Sequence, residues 1–114
     1  MRILLIEDNS YTRLTIKVAV EKMGHAVVAE ADNFEDAIEK INNTDYDIIL
    51  LDILIPGGNG IDIIKHFGNI NKKIIAITAI EQDCVDEELK KLGVSTILRK
   101  PFSYDDLDKA IREA

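Results

Sequence analysis

Charged side chains follow three apolar runs of this chain. The runs are 3–6 before Glu7-Asp8, 48–51 before Asp52, and 96–98 before Arg99-Lys100. Short continuous apolar runs are typical of strands that are buried on both faces of a parallel sheet. If the three strands lie side by side, three carboxylates and one ammonium group share a crevice at the sheet edge, where α/β proteins place their sites. That composition indicates a magnesium site next to a phosphoryl acceptor.

The chemistry that this crevice would support is phosphoryl transfer to a carboxylate. Asp52 could attack phosphorus and form an aspartyl-phosphate. Magnesium and Lys100 would stabilise the charge on the equatorial oxygens. Thr78, at the end of another apolar run, could donate its hydroxyl to a phosphoryl oxygen, and the small Ala79 would leave room for the group.

Each of these residues also has an ordinary interpretation when it is taken alone. Tip carboxylates such as Glu7 and Asp8 can be solvated strand ends or helix N-caps. Lys100 could be a surface lysine, and Thr78 could be a β-favouring residue at a strand end. Only the combination with Asp52 favours a functional site.

Composition narrows the class of protein. The chain has 114 residues, 46% of them hydrophobic and 31% charged, which fits one globular domain over residues 1–114. The net charge of -7 argues against nucleic-acid binding through electrostatics alone. The single cysteine, Cys84, cannot form an internal disulfide, and no segment is typical of a signal peptide or a membrane span. These features predict a cytoplasmic protein.

Three common sites are absent from the sequence. The glycine-rich stretch 56–60 lacks the Gly-Lys-Ser/Thr ending of a P-loop. The first strand carries no glycine fingerprint for dinucleotides, and Glu7-Asp8 would repel a pyrophosphate. His25 and His66 have no metal-ligand spacing, so we interpret them as surface or packing residues.

Strand-like and helix-like segments alternate along the chain. The predicted strands cover about 2–6, 26–30, 47–51, 73–78 and 95–98. Strict alternation with short links predicts a doubly wound parallel sheet with helices on both faces. The first helix, about 10–23, has a mixed pattern, and we predict a helix there because parallel strands need a crossover connection.

The other helices have clearer signals. Asn33 and Ser103 are predicted N-caps. The stripes predicted to face the core are Phe34, Ala37, Ile38 and Ile41; Ile61, Ile64 and Phe67; Val85, Leu89 and Leu92; and Tyr104, Leu107 and Ile111.

Taken together, these motifs resemble a response-regulator receiver domain of two-component signalling. The matching residues are Glu7-Asp8, Asp52 with Pro56 and Gly60 at their expected offsets, Thr78-Ala79, and Lys100-Pro101-Phe102. The resemblance covers essentially the whole chain. It implies a flavodoxin-like (βα)5 fold with strand order 2-1-3-4-5.

The resemblance also implies a role for each site residue. Asp52 would be the phosphoacceptor, and Lys100 and Thr78 would contact the phosphoryl group. Asp8 and Asp52 would bind Mg²⁺ directly, Glu7 would act through water, and the Leu54 backbone carbonyl would be a further ligand.

The implied function is a phosphorylation switch and not a turnover enzyme. A histidine kinase or a histidine phosphotransfer protein would supply the phosphoryl group. The surface of the fourth helix, fifth strand and fifth helix would then control an effector protein or form a homodimer. The alternative is that the chain is the N-terminal regulatory part of a longer DNA-binding response regulator.

Two other functions fit the sequence less well. An aspartyl-nucleophile phosphohydrolase needs a second carboxylate two residues after the nucleophile, where this chain has Leu54. A degenerate receiver that works without phosphate is disfavoured by the complete set of pocket residues.

Two features of the chain depart from the family pattern. Ile97 stands where receivers usually have a Tyr or Phe, so the aromatic part of the switch is absent. Leu54 and Ile80 occupy positions that flank the path of the hydrolytic water in receivers. Because both side chains are apolar, we predict slow self-dephosphorylation.

Overall fold

Five parallel strands form the central sheet in the computed structural model, which describes residues 1–55, 57–68, 70–79 and 82–114. The strands are β1 (Arg2–Ile6), β2 (Ala26–Ala31), β3 (Ile48–Asp52), β4 (Lys73–Thr78) and β5 (Thr96–Arg99). Their order is β2-β1-β3-β4-β5, with every pairing parallel. The predicted fold class and strand order are therefore confirmed.

Five helices cover the two faces of this sheet. They are α1 (Ser10–Lys22), α2 (Phe34–Asn43), α3 (Gly60–Phe67), α4 (Asp83–Lys91) and α5 (Tyr104–Glu113). Alternate residues of β1 point to opposite faces because side chains alternate along a strand. Leu4 and Ile6 pack in the layer with α2, α3 and α4, whereas Ile3 and Leu5 pack in the layer with α1 and α5.

Polar side chains fix where the helices begin. The side chains of Asn9, Asn33 and Asn59 each accept a hydrogen bond from a backbone N–H in the first turn of α1, α2 and α3. Ser103 and Asp106 form a reciprocal capping box at α5. Such caps satisfy backbone groups that have no partner within the helix, so the connections into α1, α2, α3 and α5 have a defined exit direction. The predicted caps Asn33 and Ser103 are confirmed.

The mixed pattern of α1 has a simple structural explanation. Ile16 and Val20 are buried against the sheet, whereas Leu14 and Val18 lie on the exposed face. The prediction of a helix here is confirmed, with its end at Lys22. The exposed apolar residues account for the ambiguity of the sequence pattern.

Three details differ from the sequence predictions. Tyr104 was assigned to the inner stripe of α5, but its side chain is 48% exposed, because it occupies the first helical position beyond the edge of the core. The third strand covers Ile48–Asp52, one residue further along the chain than the predicted range of about 47–51. A two-stranded antiparallel ladder of Leu54–Ile55 with Gly58–Asn59, absent from the predictions, follows β3.

Two predictions about single positions fall outside the described residues, namely those on Pro56 and Ile80. Among the residues that the structure does describe, no helix has the length and apolar character needed to cross a membrane.

Candidate functional site

The carboxyl ends of four strands meet at one edge of the sheet. Glu7 follows β1, Asp52 ends β3, Thr78 ends β4 and Lys100 follows β5. Strand register keeps these ends level, since Ile6 is opposite Leu51 and Asp52 is opposite Ile77. The sheet therefore brings together residues that are far apart in sequence.

Three carboxylates form a compact cluster at this edge. One oxygen from each of Glu7, Asp8 and Asp52 lies within 4.8 Å of the others. Glu7 and Asp52 are buried, at 1% and 4% exposure, whereas Asp8 is exposed. The cluster thus has a buried inner part and one member that faces solvent.

Lys100 reaches into the cluster and contacts both buried carboxylates. Its Nζ donates hydrogen bonds to Glu7 Oε1 at 3.2 Å and to Asp52 Oδ2 at 3.1 Å. Hydrogen bonds between ionised groups are stronger than neutral ones, so the ammonium group offsets part of the repulsion between the carboxylates. Lys100 is bonded to the cluster and is not the solvated surface lysine of the ordinary interpretation.

The electrostatics of the cluster are dominated by burial. Desolvation, followed by the hydrogen bond and charge of Asp52, raises the pKa of Glu7 from its ordinary 4.5 to about 8. Burial by itself would lower the pKa of Lys100, but the hydrogen bonds and charges of Asp52 and Glu7 outweigh it and raise that pKa. Glu7 therefore holds a proton readily, and Lys100 retains its charge.

The donor set fits a hard divalent cation. Carboxylate oxygens are the ligands that Mg²⁺ prefers. Glu7 Oε2 is buried and has no hydrogen-bond partner among the described residues, although a buried polar atom normally has one. A cation, or water bound to it, would satisfy this atom. The cluster can thus hold a metal ion.

Backbone hydrogen bonds fix the orientation of Asp52. The Leu54 N–H donates to Asp52 Oδ1 at 3.1 Å, which leaves Oδ2 directed to Lys100. Gly60 N–H donates to Ile53 O at 2.7 Å and brings α3 close to this turn. A Cβ on Gly60 would approach the Asp52 carbonyl oxygen to 3.1 Å and Ile53 Cα to 3.0 Å, so the position requires glycine.

Thr78 and Lys100 are joined through the backbone. The Lys100 N–H donates to the Thr78 carbonyl oxygen at 2.9 Å, and Thr78 itself is 2% exposed. The Lys100-Pro101 peptide bond is cis. Ala79 is exposed beside Lys100 and lines an apolar groove of about 760 Å³ between α1 and the segment before α5.

Two contacts of arginine side chains near the site were not predicted from the sequence. Arg13 Nη1 donates to the Glu7 carbonyl oxygen at 2.9 Å. Arg99 forms an ion pair with Asp86, which links β5 to α4. Helical side chains point back towards the N-terminus, so Arg13, in the first turn of α1, could have been found from the predicted helix start. The Arg99 contact depends on how α4 packs and has no local signal.

The remaining candidate residues lie away from the cluster. Cys84 is exposed on α4 with a free thiol. His66 stacks edge-on against Phe67 at a ring-centroid distance of 5.0 Å, and His25 contacts the N-terminal amine. These contacts agree with their interpretation as surface or packing residues.

Comparisons with known proteins identify what the chain is similar to. The family model described as "Response regulator receiver domain" matches residues 3–112. The chemotaxis protein CheY of Thermotoga maritima is 34% identical, with 98% of this chain and 95% of that protein covered. Sporulation initiation phosphotransferase F of Bacillus subtilis is 30% identical, over 98% of this chain and 91% of that protein.

A structural neighbour agrees on the fold. The structure described as the CheX-CheY-BeF3-Mg complex of Borrelia burgdorferi superimposes with a TM-score of 0.92 at 22% identity, covering 97% of this chain and 86% of that one. The chain covers most of the length of the two relatives above, and it covers 53% of the transcriptional regulatory protein CrdR of Helicobacter pylori, at 30% identity.

Proposed function

The chain belongs to the response-regulator receiver family of two-component and phosphorelay signalling, and we propose on this basis that Asp52 accepts a phosphoryl group from a phosphohistidine donor. The observation that carries the proposal is the bonding of Lys100 Nζ to both Glu7 and Asp52 within a carboxylate cluster at the sheet edge. An ordinary surface lysine or a solvated strand end would not produce this arrangement.

Each site residue has a role in the proposed transfer. An Asp52 carboxylate oxygen attacks phosphorus, the bond from phosphorus to the donor imidazole nitrogen breaks, and its electron pair returns to that nitrogen. Lys100 neutralises charge on the transferred group, and the Thr78 hydroxyl donates to one of its oxygens. The Leu54 N–H holds the Asp52 carboxylate in a fixed orientation during this step.

Magnesium completes the proposed site. Asp8 and Asp52 would bind Mg²⁺ directly, Glu7 through water, and the Leu54 carbonyl oxygen would be a further ligand. When bound, the ion supplies positive charge to the phosphoryl oxygens. The support comes from the three carboxylates within 4.8 Å and from the buried, unpartnered Glu7 Oε2 among the described residues.

The proposed output surface consists of α4, β5 and α5, and it would bind an effector protein or a second copy of the chain. β5 connects this surface to the site, because Lys100 follows the strand and Arg99 is opposite Thr78 in register. A shift of Thr78 towards a phosphoryl group would act on this strand directly. We propose that residues 1–114 form one receiver domain, which acts in the cytoplasm as a switch without turnover of external substrates.

Acetyl phosphate with Mg²⁺ tests the proposal, with intact mass as the readout. We expect one added phosphoryl group on the wild-type chain, none after chelation, and none on Asp52→Asn, which keeps the shape of the side chain but not its nucleophile. Asp47→Asn is the matched control, because Asp47 lies at the opposite end of β3 and pairs with Arg2. Modification of Asp52→Asn, or repeated turnover of a generic phosphate ester, would contradict the proposal.

A further inference from the structure

The backbone of Glu7 is hydrogen-bonded through both its N–H and its carbonyl oxygen. β1 ends at Ile6, so the sheet ladder no longer fixes the residues that follow. The Glu7 N–H donates to the Ala31 carbonyl oxygen at 3.0 Å, and the Glu7 carbonyl oxygen accepts from Arg13 Nη1 at 2.9 Å. The second bond is made by a side chain, and it acts on the peptide that joins the two carboxylate residues.

Arg13 is itself held in place by β2. Its Nε lies 3.3 Å from Glu30 Oε1, and its side chain is 22% exposed. The other Glu30 oxygen lies 3.4 Å from Lys17 Nζ. The planar guanidinium can contact a carbonyl oxygen and a carboxylate at once, whereas the single ammonium of a lysine fits such a fork poorly.

The contact leaves the metal-binding groups available. Arg13 bonds to the Glu7 backbone, so the carboxylate oxygens of Glu7 and Asp8 still face the cluster with Asp52. The Asp8 and Asp52 carboxylates lie close enough to repel one another, and rotation of the Glu7-Asp8 peptide would relieve that repulsion by moving Asp8 away. A bond to the carbonyl oxygen of this peptide opposes the rotation.

We propose that Arg13 is a positioning residue for the divalent cation, because it fixes the peptide that directs Glu7 and Asp8 towards Asp52. This inference rests on the proposed function of the acidic cluster. Residues that orient ligands, without touching the metal, contribute substantially to metal affinity in many sites. Arg13 would therefore act on Mg²⁺ affinity and leave the phosphoryl chemistry itself unchanged.

A Mg²⁺ titration followed by backbone amide chemical shifts at residues 7–9 and 52–54 tests the inference. Arg13→Met keeps the length of the side chain but removes its donors, and we expect the Kd for Mg²⁺ to rise about tenfold. The matched control is Lys17→Met, which removes the same charge from the same Glu30 partner without touching Glu7. We expect its Kd to stay within about twofold of wild type.

Phosphorylation rates at low and at saturating Mg²⁺ distinguish an effect on Mg²⁺ affinity from an effect on phosphoryl transfer. For Arg13→Met we expect slow phosphorylation by acetyl phosphate at low Mg²⁺ and the wild-type rate at saturating Mg²⁺. An unchanged Kd in Arg13→Met, or an equal change in Lys17→Met, would overturn the inference. If Arg13→Met does not fold, Arg13→Lys decides: a Kd at least about threefold higher supports the inference, and the wild-type Kd overturns it.

The wild-type chain distinguishes the two levels of the proposal. If the wild-type protein binds Mg²⁺ and is phosphorylated on Asp52, but Arg13→Met has the wild-type Kd for Mg²⁺, only the role of Arg13 is wrong. If the wild-type protein neither binds Mg²⁺ nor accepts a phosphoryl group, the proposed function is wrong, and so is the role of Arg13.

Discussion

Glu7 shows how burial changes the behaviour of a single carboxyl group. The side chain is 1% exposed, and desolvation together with Asp52 raises its pKa to about 8. In the unfolded chain the group has its ordinary pKa of 4.5, so between these values the folded state holds a proton that the unfolded state lacks. Stability from this proton is complete at low pH and is lost as the pH rises through 8.

We therefore predict a pH-dependent difference between wild type and Glu7→Gln. In metal-free buffer, the unfolding free energy of wild type relative to the variant should fall by about 1–3 kcal/mol from pH 5 to pH 9, because only wild type loses a stabilising proton. Urea denaturation across this range measures it. Glu39→Gln, at an exposed glutamate of α2, is the control. Parallel stability curves for wild type and Glu7→Gln would contradict the prediction.

The apolar side chain of Leu54 lies where water would have to approach a phosphoryl group on Asp52. Its side chain is 58% exposed two residues after Asp52, and its N–H is bonded to the Asp52 carboxylate. An apolar group there cannot orient water for attack on an aspartyl-phosphate. Leu54→Asn should therefore lose its phosphoryl group about tenfold faster, a change in barrier of about 1.4 kcal/mol.

The decay of phosphorylated protein after donor removal measures this rate. The control is Leu14→Asn, the same substitution at a leucine of α1 that is also 58% exposed. A wild-type half-life of seconds that Leu54→Asn leaves unchanged would show that this position does not limit hydrolysis.

At the scale of elements, an ion pair joins α4 to the sheet at the site. Arg99 is the last residue of β5, stands opposite Thr78 in register and pairs with Asp86 of α4. Ile97, in the same strand, packs in the layer that contains α4 and offers no aromatic ring to rotate. A movement of Thr78 can thus reach α4 through Arg99.

We predict that Asp86→Asn weakens the response of α4. Chemical-shift changes on addition of beryllofluoride and Mg²⁺ should remain at residues 52–54 but decrease at residues 83–91, because the link from β5 is lost. The unfolding free energy should fall by only about 0.5–1 kcal/mol, since the pair is partly exposed. NMR spectra of wild type and Asp86→Asn, each recorded with and without beryllofluoride and Mg²⁺, test this prediction.

Glu88→Gln is the matched control for this prediction. It also removes an ion pair from α4, but that pair joins Glu88 to Lys65 of α3 at 2.8 Å and has no link to β5. An equal loss of the α4 response in Glu88→Gln would mean that any weakening of α4 has this effect. A full response in Asp86→Asn would exclude the Arg99 route.

For the molecule as a whole, sequence predicted what depends on local pattern. Apolar runs gave the five strands, and Asn33 and Ser103 gave two helix starts, because both signals lie within a few adjacent residues. The short ladder after β3 and the exposure of Tyr104 were missed. Both depend on where neighbouring elements end, which periodicity does not record.

Some contacts of the candidate site could be predicted from the sequence, and others could not. The meeting of Glu7, Asp52 and Lys100 at one sheet edge follows from strand type and topology, which a sequence pattern can indicate. The contact of Arg13 with the Glu7 carbonyl oxygen is local, and the predicted start of α1 could have indicated it. The ion pair of Arg99 with Asp86 depends on how α4 packs against β5, and no spacing in the sequence specifies that.

The bonds of Lys100 to both buried carboxylates make the ammonium a tethered counter-ion of the cluster. A cation that enters from solvent meets carboxylates that are already partly neutralised, so its binding is an exchange of partners and not a simple addition. Because Lys100 is part of the chain, its ammonium group stays at a constant effective concentration beside the carboxylates. A bound cation would therefore have to draw Asp52 and Glu7 away from Lys100, and its affinity would depend on the strength of these two hydrogen bonds.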